Sequence, residues 1–132
     1  MNRTTSTVLL TGATGFLGSH LLAGLLAKGV EVAILKRSSS STERIAHRLA
    51  EVIVHDVDRT PLSTVFERVR VDAVIHAATA YGRKGERVAD LISSNVVFGM
   101  QLLETAAEHG VPAFLNTSTF SVKGSELPAG LD

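Results

Sequence analysis

Gly12, Gly15 and Gly18 lie three residues apart, directly after the apolar run at residues 8–10 and at the start of a helical leucine pattern that begins at Phe16. A helix N-terminus carries unsatisfied N–H groups and the positive end of the helix dipole, so it attracts phosphate. In this setting Gly12 permits the tight turn, Gly15 lets a pyrophosphate approach the backbone with no Cβ in the way, and Gly18 lets the helix pack closely on the sheet. The GxxGxxG spacing differs from the GxGxxG of the commonest dinucleotide fingerprint, but its physical demands are similar. Thr14, Phe16 and Leu17 complete the segment that would face the phosphates. The alternative is a glycine-rich strand-to-helix turn without a ligand.

The end of the second strand decides which dinucleotide fits. An acidic residue there accepts hydrogen bonds from both ribose hydroxyls of NAD. This chain instead reads Leu35-Lys36-Arg37-Ser38. A guanidinium pairs bidentately with a 2′-phosphate and stacks on adenine, so NADP is the expected cofactor. If Lys36 and Arg37 are only solvated loop charges, NAD remains the alternative.

These residues need a scaffold, and the apolar spacing supplies one. Strands are expected at residues 8–10, 30–35, 52–55, 71–77 and 113–116, separated by helices starting at Phe16, over 43–49, from the Thr60-Pro61 pair to about residue 69, and over 87–109. Gly29 is placed to stop the first helix, and Gly110 with Pro112 to stop the last. Ser38 to Thr42 supply candidate caps for the short helix at 43–49. In the long helix Ile92, Val96, Leu102, Leu103 and Ala106 are expected on one side. Strands alternating with helices, without hairpin signals, specify an α/β, Rossmann-like doubly wound parallel sheet, and the strand order 3-2-1-4-5 is expected.

Composition removes other classes of function. Thirteen basic and thirteen acidic residues leave no net field for a nucleic acid or an anionic membrane. There is no cysteine, and His20, His47, His55 and His109 have no ligand-like grouping, so no metal site is expected. No stretch reads as a membrane span or signal peptide, which makes a cytoplasmic location the expectation. The 132 residues suit one domain.

With the glycine turn in place, TGATGFLGSHL resembles the opening of the extended short-chain dehydrogenase/reductases, the group containing nucleotide-sugar epimerases, dehydratases and reductases. Later segments agree in order: Asp56-Val57 after the third strand, His76-Ala77-Ala78 after the fourth, Asn95-Val96 in the long helix, and Asn116-Thr117-Ser118-Thr119 with Gly124 around the fifth. The resemblance covers residues 7–124. It implies that Asp56 and Val57 hold the adenine and that Ala77, Ala78 and Thr79 line the cofactor. It implies further that Asn95 ties the helix to the sheet, that Thr117 and Ser118 border the cofactor, and that Thr119 is a catalytic hydroxyl. Taken alone, Asp56 also reads as a turn residue, His76 as a hydrogen-bonded core histidine rather than a base, Asn95 as an exposed helix residue, and Thr119 as a strand-end threonine.

In the resembled family a Tyr in a YxxxK motif moves the substrate proton while hydride passes to or from the nicotinamide. The only tyrosine here is Tyr81, and position 85 is Gly85 rather than lysine, so the pair is absent. Residues 1–132 are therefore expected to be a dinucleotide-binding domain, incomplete at its C-terminus and truncated before the substrate domain, inactive alone. The alternative is a non-catalytic NADP(H) sensor. The resemblance implies a nucleotide-sugar substrate, with segments similar to the reductases of CDP-linked dideoxyhexoses. Tyr81 and Arg83 would then contact sugar or phosphate, unless their loop is simply solvated. A homodimer through the 87–109 helix is expected, with Val97, Met100 and Leu103 uncovered.

Overall fold

The computed structural model describes residues 5–117. Short runs of Val, Ile, Leu and Ala form five strands, β1 (Thr7–Thr11), β2 (Glu31–Lys36), β3 (Ile53–Asp56), β4 (Ala73–His76) and β5 (Ala113–Asn116). All neighbours are parallel and the order is β3-β2-β1-β4-β5, as the alternation of strands and helices implied. The central strand is apolar between its terminal threonines because helices cover both faces of a parallel sheet, and every residue of β1 is buried.

Successive residues of a strand point to opposite faces, so Leu9 and Leu10 enter different cores. On one face Leu10, Val32 and Ile34 pack with Leu22 of α1 (Phe16–Ala27) and with Ile45 from a 3-10 helix, Glu43–Glu51. On the other, Leu9, Ala33, Leu35 and Val74 pack with Val65 and Phe66 of α2 (Leu62–Arg68) and with Leu102 and Ala106 of α4 (Phe98–Glu108). Gly29 ends α1 at φ 72°, its N–H bonded to the Leu26 carbonyl at 3.0 Å while that of Val30 reaches Leu25 at 3.1 Å. Gly110 closes α4 in the same way.

Several local expectations are corrected. Thr60 does not cap α2, which begins at Leu62 with Pro61 before it and no side-chain cap; Thr60 instead gives its N–H to the Asp56 carbonyl in the turn after β3. Thr42 does not cap the 3-10 segment, whose first N–H, that of Glu43, is instead accepted by Ser41 Oγ at 3.4 Å, and the segment extends to Glu51. The long helix is α3 (Val88–Ile92), one π turn over Ser93–Val97, and α4, in unbroken helical backbone. A π turn holds one residue more than an α turn, so it swings the residues before it by about 100° relative to those after it. Leu102 and Ala106 consequently face the sheet, whereas Ile92 and Val96 are exposed; Leu103 also lies outside the buried stripe. Val97, Met100 and Leu103 are uncovered as expected. Among the described residues no helix is long and apolar enough to cross a membrane.

Candidate functional site

Parallel strands end at one edge, so the register alone brings the chemistry-bearing residues together. Thr11 pairs with both Leu35 and His76, Lys36 with Asp56, and His76 with Asn116. The chain leaves β1 toward β2 and β3, then returns to the other side as β4. This reversal opens a crevice above β1 and β4, where such sheets bind ligands.

The three glycines have different structural reasons. Gly12 has φ 73°, and a Cβ on it would lie 2.7 Å from the Ala77 carbonyl and the Ala78 nitrogen. A Cβ on Gly18 would overlap the Gly12 carbonyl, so this glycine sets how closely α1 approaches its own turn. Gly15 differs: its φ is −84°, which any residue adopts, and a Cβ would meet only the Gly12 oxygen at 3.3 Å. The fold does not need glycine there, so the open side of Gly15 is room for something outside the chain. It is the N-cap of α1, no side chain caps that helix, and Phe16 and Leu17 are exposed beside it, with Thr14 half-buried. The free N–H groups and the open Cβ position fit a pyrophosphate.

Thr11, which the motif reading passed over, locks this turn to β4. Its Oγ1 accepts the N–H groups of Ala77 and Ala78, both at 3.1 Å, so its own hydrogen goes to Nδ1 of His76 at 2.7 Å. His76 is thus neutral with its proton on Nε2. It is a buried core histidine packed near Phe98 and Phe114, as the bland reading of that position had it. The usable signal was a hydroxyl directly after the apolar run 8–10, at the strand end where the glycine turn begins. Burial holds the pKa of His76 below the ordinary histidine value; burial and then the Arg68 charge do the same for His55. In the unfolded chain both histidines take protons near pH 6.5. Their contribution is therefore complete above that pH and is lost as pH falls toward the lowered folded values, because the unfolded state then binds more protons. The urea midpoint should fall from pH 7 to pH 5.5; a midpoint that holds or rises would contradict this state of the histidines.

At the end of β2, Lys36 turns its ammonium onto the Arg37 carbonyl at 2.8 Å, and Arg37 reaches Ser94 Oγ at 2.6 Å. Neither cation is in an ion pair among the described residues. Carboxylates do arrive, from β3 rather than β2. Asp56 accepts the Ser38 hydroxyl at 2.6 Å and the Asp58 N–H at 3.0 Å, and Asp58 accepts the Ser38 N–H at 2.8 Å. The Ser38 hydrogen bond is the largest cause holding Asp56 below the usual carboxylate range; the Asp58 N–H and the charges of Lys36 and Arg59 act in the same direction. Val57 is half-buried and donates its N–H to the Lys36 carbonyl at 2.9 Å.

The loop after β4 is held by Asn95, whose Oδ1 accepts the Ala80 N–H and whose Nδ2 donates to the Ala80 carbonyl, both at 2.8 Å. The side chain therefore ties the helix to this loop rather than to a strand. Ala77 and Ala78 lie half-buried against the glycine turn, Thr79 is exposed, and the Arg83 guanidinium sits 5.2 Å from the centre of the exposed Tyr81 ring. Thr117 hydrogen-bonds the His76 carbonyl through its N–H and its hydroxyl, at 3.1 and 3.2 Å. Ser118, Thr119 and Gly124 lie outside the described residues. Among those described, no cluster could hold a metal ion.

Comparison with known proteins fits this geometry. The family described as NAD dependent epimerase/dehydratase matches residues 8–130. UDP-glucose 4-epimerase of Erwinia amylovora is 32% identical over 131 residues, covering 92% of this chain and 39% of the relative. CDP-abequose synthase of Salmonella typhimurium is 32% identical over 120 residues, covering 88% of this chain and 39% of the relative. The crystal structure of Bifidobacterium longum UDP-glucose 4-epimerase in complex with NAD+ and UDP superimposes with a TM-score of 0.76 at 29% identity, over 93% of this chain and 40% of that one. The chain thus spans no more than 40% of the length of these relatives. A match running from the glycine turn past the fifth strand, on the same doubly wound sheet, places the chain in the NAD-dependent epimerase/dehydratase family.

Proposed function

We propose that these residues are the dinucleotide-binding portion of a nucleotide-sugar epimerase, dehydratase or reductase, and that the cofactor is NADP. The observation that carries the binding function is the open side of Gly15 above the uncapped N-terminus of α1. The bound cofactor would exchange hydride with a sugar carbonyl or hydroxyl. Gly12, Gly15, Gly18 and the first turn of α1 would hold the pyrophosphate. Asp56 and Val57 would border the adenine, and Ala77 to Thr79, Asn95 and Thr117 would border the rest of the dinucleotide. Thr119 is the proposed hydroxyl on the reacting sugar oxygen, with Ser118 beside the cofactor and Tyr81 and Arg83 toward the substrate. YxxxK is absent from the sequence, so the 132 residues alone bind cofactor without turning substrate over. The exposed face of Val97, Met100 and Leu103 supports a homodimer through this helix.

NADP is favoured because the second strand ends in two cations, Lys36 and Arg37, neither of them in an ion pair among the described residues. NAD is the second reading, and Asp56 and Asp58 support it, since they bring carboxylates to Ser38. Titrating the chain with both cofactors separates them. Arg37→Glu should weaken NADPH binding by at least about tenfold, the loss of one charge-assisted pair, and leave NADH within about twofold. Unchanged NADPH affinity would remove Arg37 from the site. A non-catalytic sensor is the remaining alternative, favoured by the missing YxxxK; it predicts a conformational response to the NADP/NADPH ratio in the complete protein.

A further inference from the structure

The Arg37 side chain does not simply extend into solvent from the end of β2. It donates to Ser94 Oγ at 2.6 Å, a residue 57 positions away on the π turn of the helix that follows β4. Because β1 lies between β2 and β4, this contact bridges the two halves of the sheet above the strand that carries the glycine turn.

The mount is firm. Ser94 is half-buried, its neighbour Asn95 is fixed to Ala80 through both amide atoms, and α4 below is anchored by the fully buried Leu102. The extra residue of the π turn is what lets both conditions hold together. Were the helix regular throughout, keeping Leu102 and Ala106 on the sheet would turn Ser94 and Asn95 by about 100°, away from Arg37 and Ala80. Arginine has five N–H donors, and the bond to Ser94 uses one, so the rest of the fork stays available to an incoming phosphate.

We propose that Ser94 is a positioning residue for cofactor selectivity: it holds the Arg37 guanidinium in place so that a 2′-phosphate meets a pre-ordered cation. This rests on the NADP reading given above. An unanchored arginine would have to be immobilised when the phosphate binds, and the anchor removes that part of the binding cost. The effect is greatest for the phosphate-bearing cofactor, since NADH offers Arg37 only a neutral 2′-hydroxyl at that position.

The test is a fluorescence titration of the 132-residue chain with NADPH and NADH, using Ser94→Ala, Ser94→Thr, Arg37→Ala and the Arg37→Ala/Ser94→Ala double variant. Ser94→Ala should weaken NADPH by about 3- to 10-fold and leave NADH within about twofold. Ser94→Thr, which keeps the hydroxyl, should restore NADPH affinity. In the Arg37→Ala background the second change should add nothing. If Arg37→Ala lowers the NADPH preference but Ser94→Ala leaves it intact, weakens both cofactors equally or tightens NADPH, the role of Ser94 is overturned while the NADP reading stands. If Arg37→Ala itself leaves the preference unchanged, the NADP reading falls, and the role of Ser94 with it.

Discussion

Gly18→Ala is expected to lower the melting temperature by about 10 °C or more. The added Cβ would overlap the Gly12 carbonyl and lie 2.8 Å from the Ala13 nitrogen. These are backbone atoms and no side chain can rotate out of the way, so α1 must move as a body. Doing so loosens Leu22 from Leu10 and Ile34 and pulls the turn away from Ala77 and Ala78. Overpacking of this kind costs about 3 kcal/mol or more. In a domain of this size each kcal/mol shifts the midpoint by about 3–4 °C. Thermal unfolding followed by circular dichroism measures it, and a midpoint within about 3 °C of the parent would show that α1 sits farther from its turn than described.

Gly15→Ala should do the opposite, keeping the fold and losing the ligand. Its backbone is in a region open to alanine and its Cβ meets a single protein atom, the Gly12 oxygen, at a tight 3.3 Å, so the stability change comes from a small shift of that carbonyl and a poorer N-cap, about 1–2 kcal/mol together. The methyl projects into the side where the pyrophosphate would come against the free N–H groups of α1. Holding the phosphates off those donors removes charge-assisted hydrogen bonds worth about 1.5–3 kcal/mol each, so dinucleotide affinity should fall about 100-fold. Calorimetric titration beside a melting curve separates the two effects. Parent-like affinity in a folded Gly15→Ala protein would mean that the pyrophosphate does not lie on this turn.

What could be read in advance follows the range over which each interaction acts. The inner strands β1 and β2 were legible because burial on both faces writes itself as a continuous apolar run, and the strand order because strand-helix alternation admits few topologies. Gly12 and Gly18 were legible because tight turns and close helix packing are local demands. Thr11, Ser94 and Asp58 were not. Their partners lie 65, 57 and 20 residues away, and only the tertiary fold, by strand register and, for Ser94, by the π turn, brings them together. The π turn escaped detection because one additional residue shifts the helical period midway, so Ile92 and Val96 share the apolar repeat of Leu102 and Ala106 without sharing their environment. Asn95 was found through the family resemblance, yet its partner Ala80 sits in a loop whose path no periodicity records.

The central place of β1 also orders events in time. The strand is made first, but the hydroxyl that ends it has no partner until His76, Ala77 and Ala78 have been made and have docked beside it. A folding intermediate containing only β1, β2 and β3 would hold the glycines without the clip that fixes their turn. Contacts this distant in sequence form late, after most of the loop-closure entropy has been lost. A dinucleotide held on this turn, as proposed, would therefore stabilise the finished sheet and slow its opening rather than speed the earlier steps.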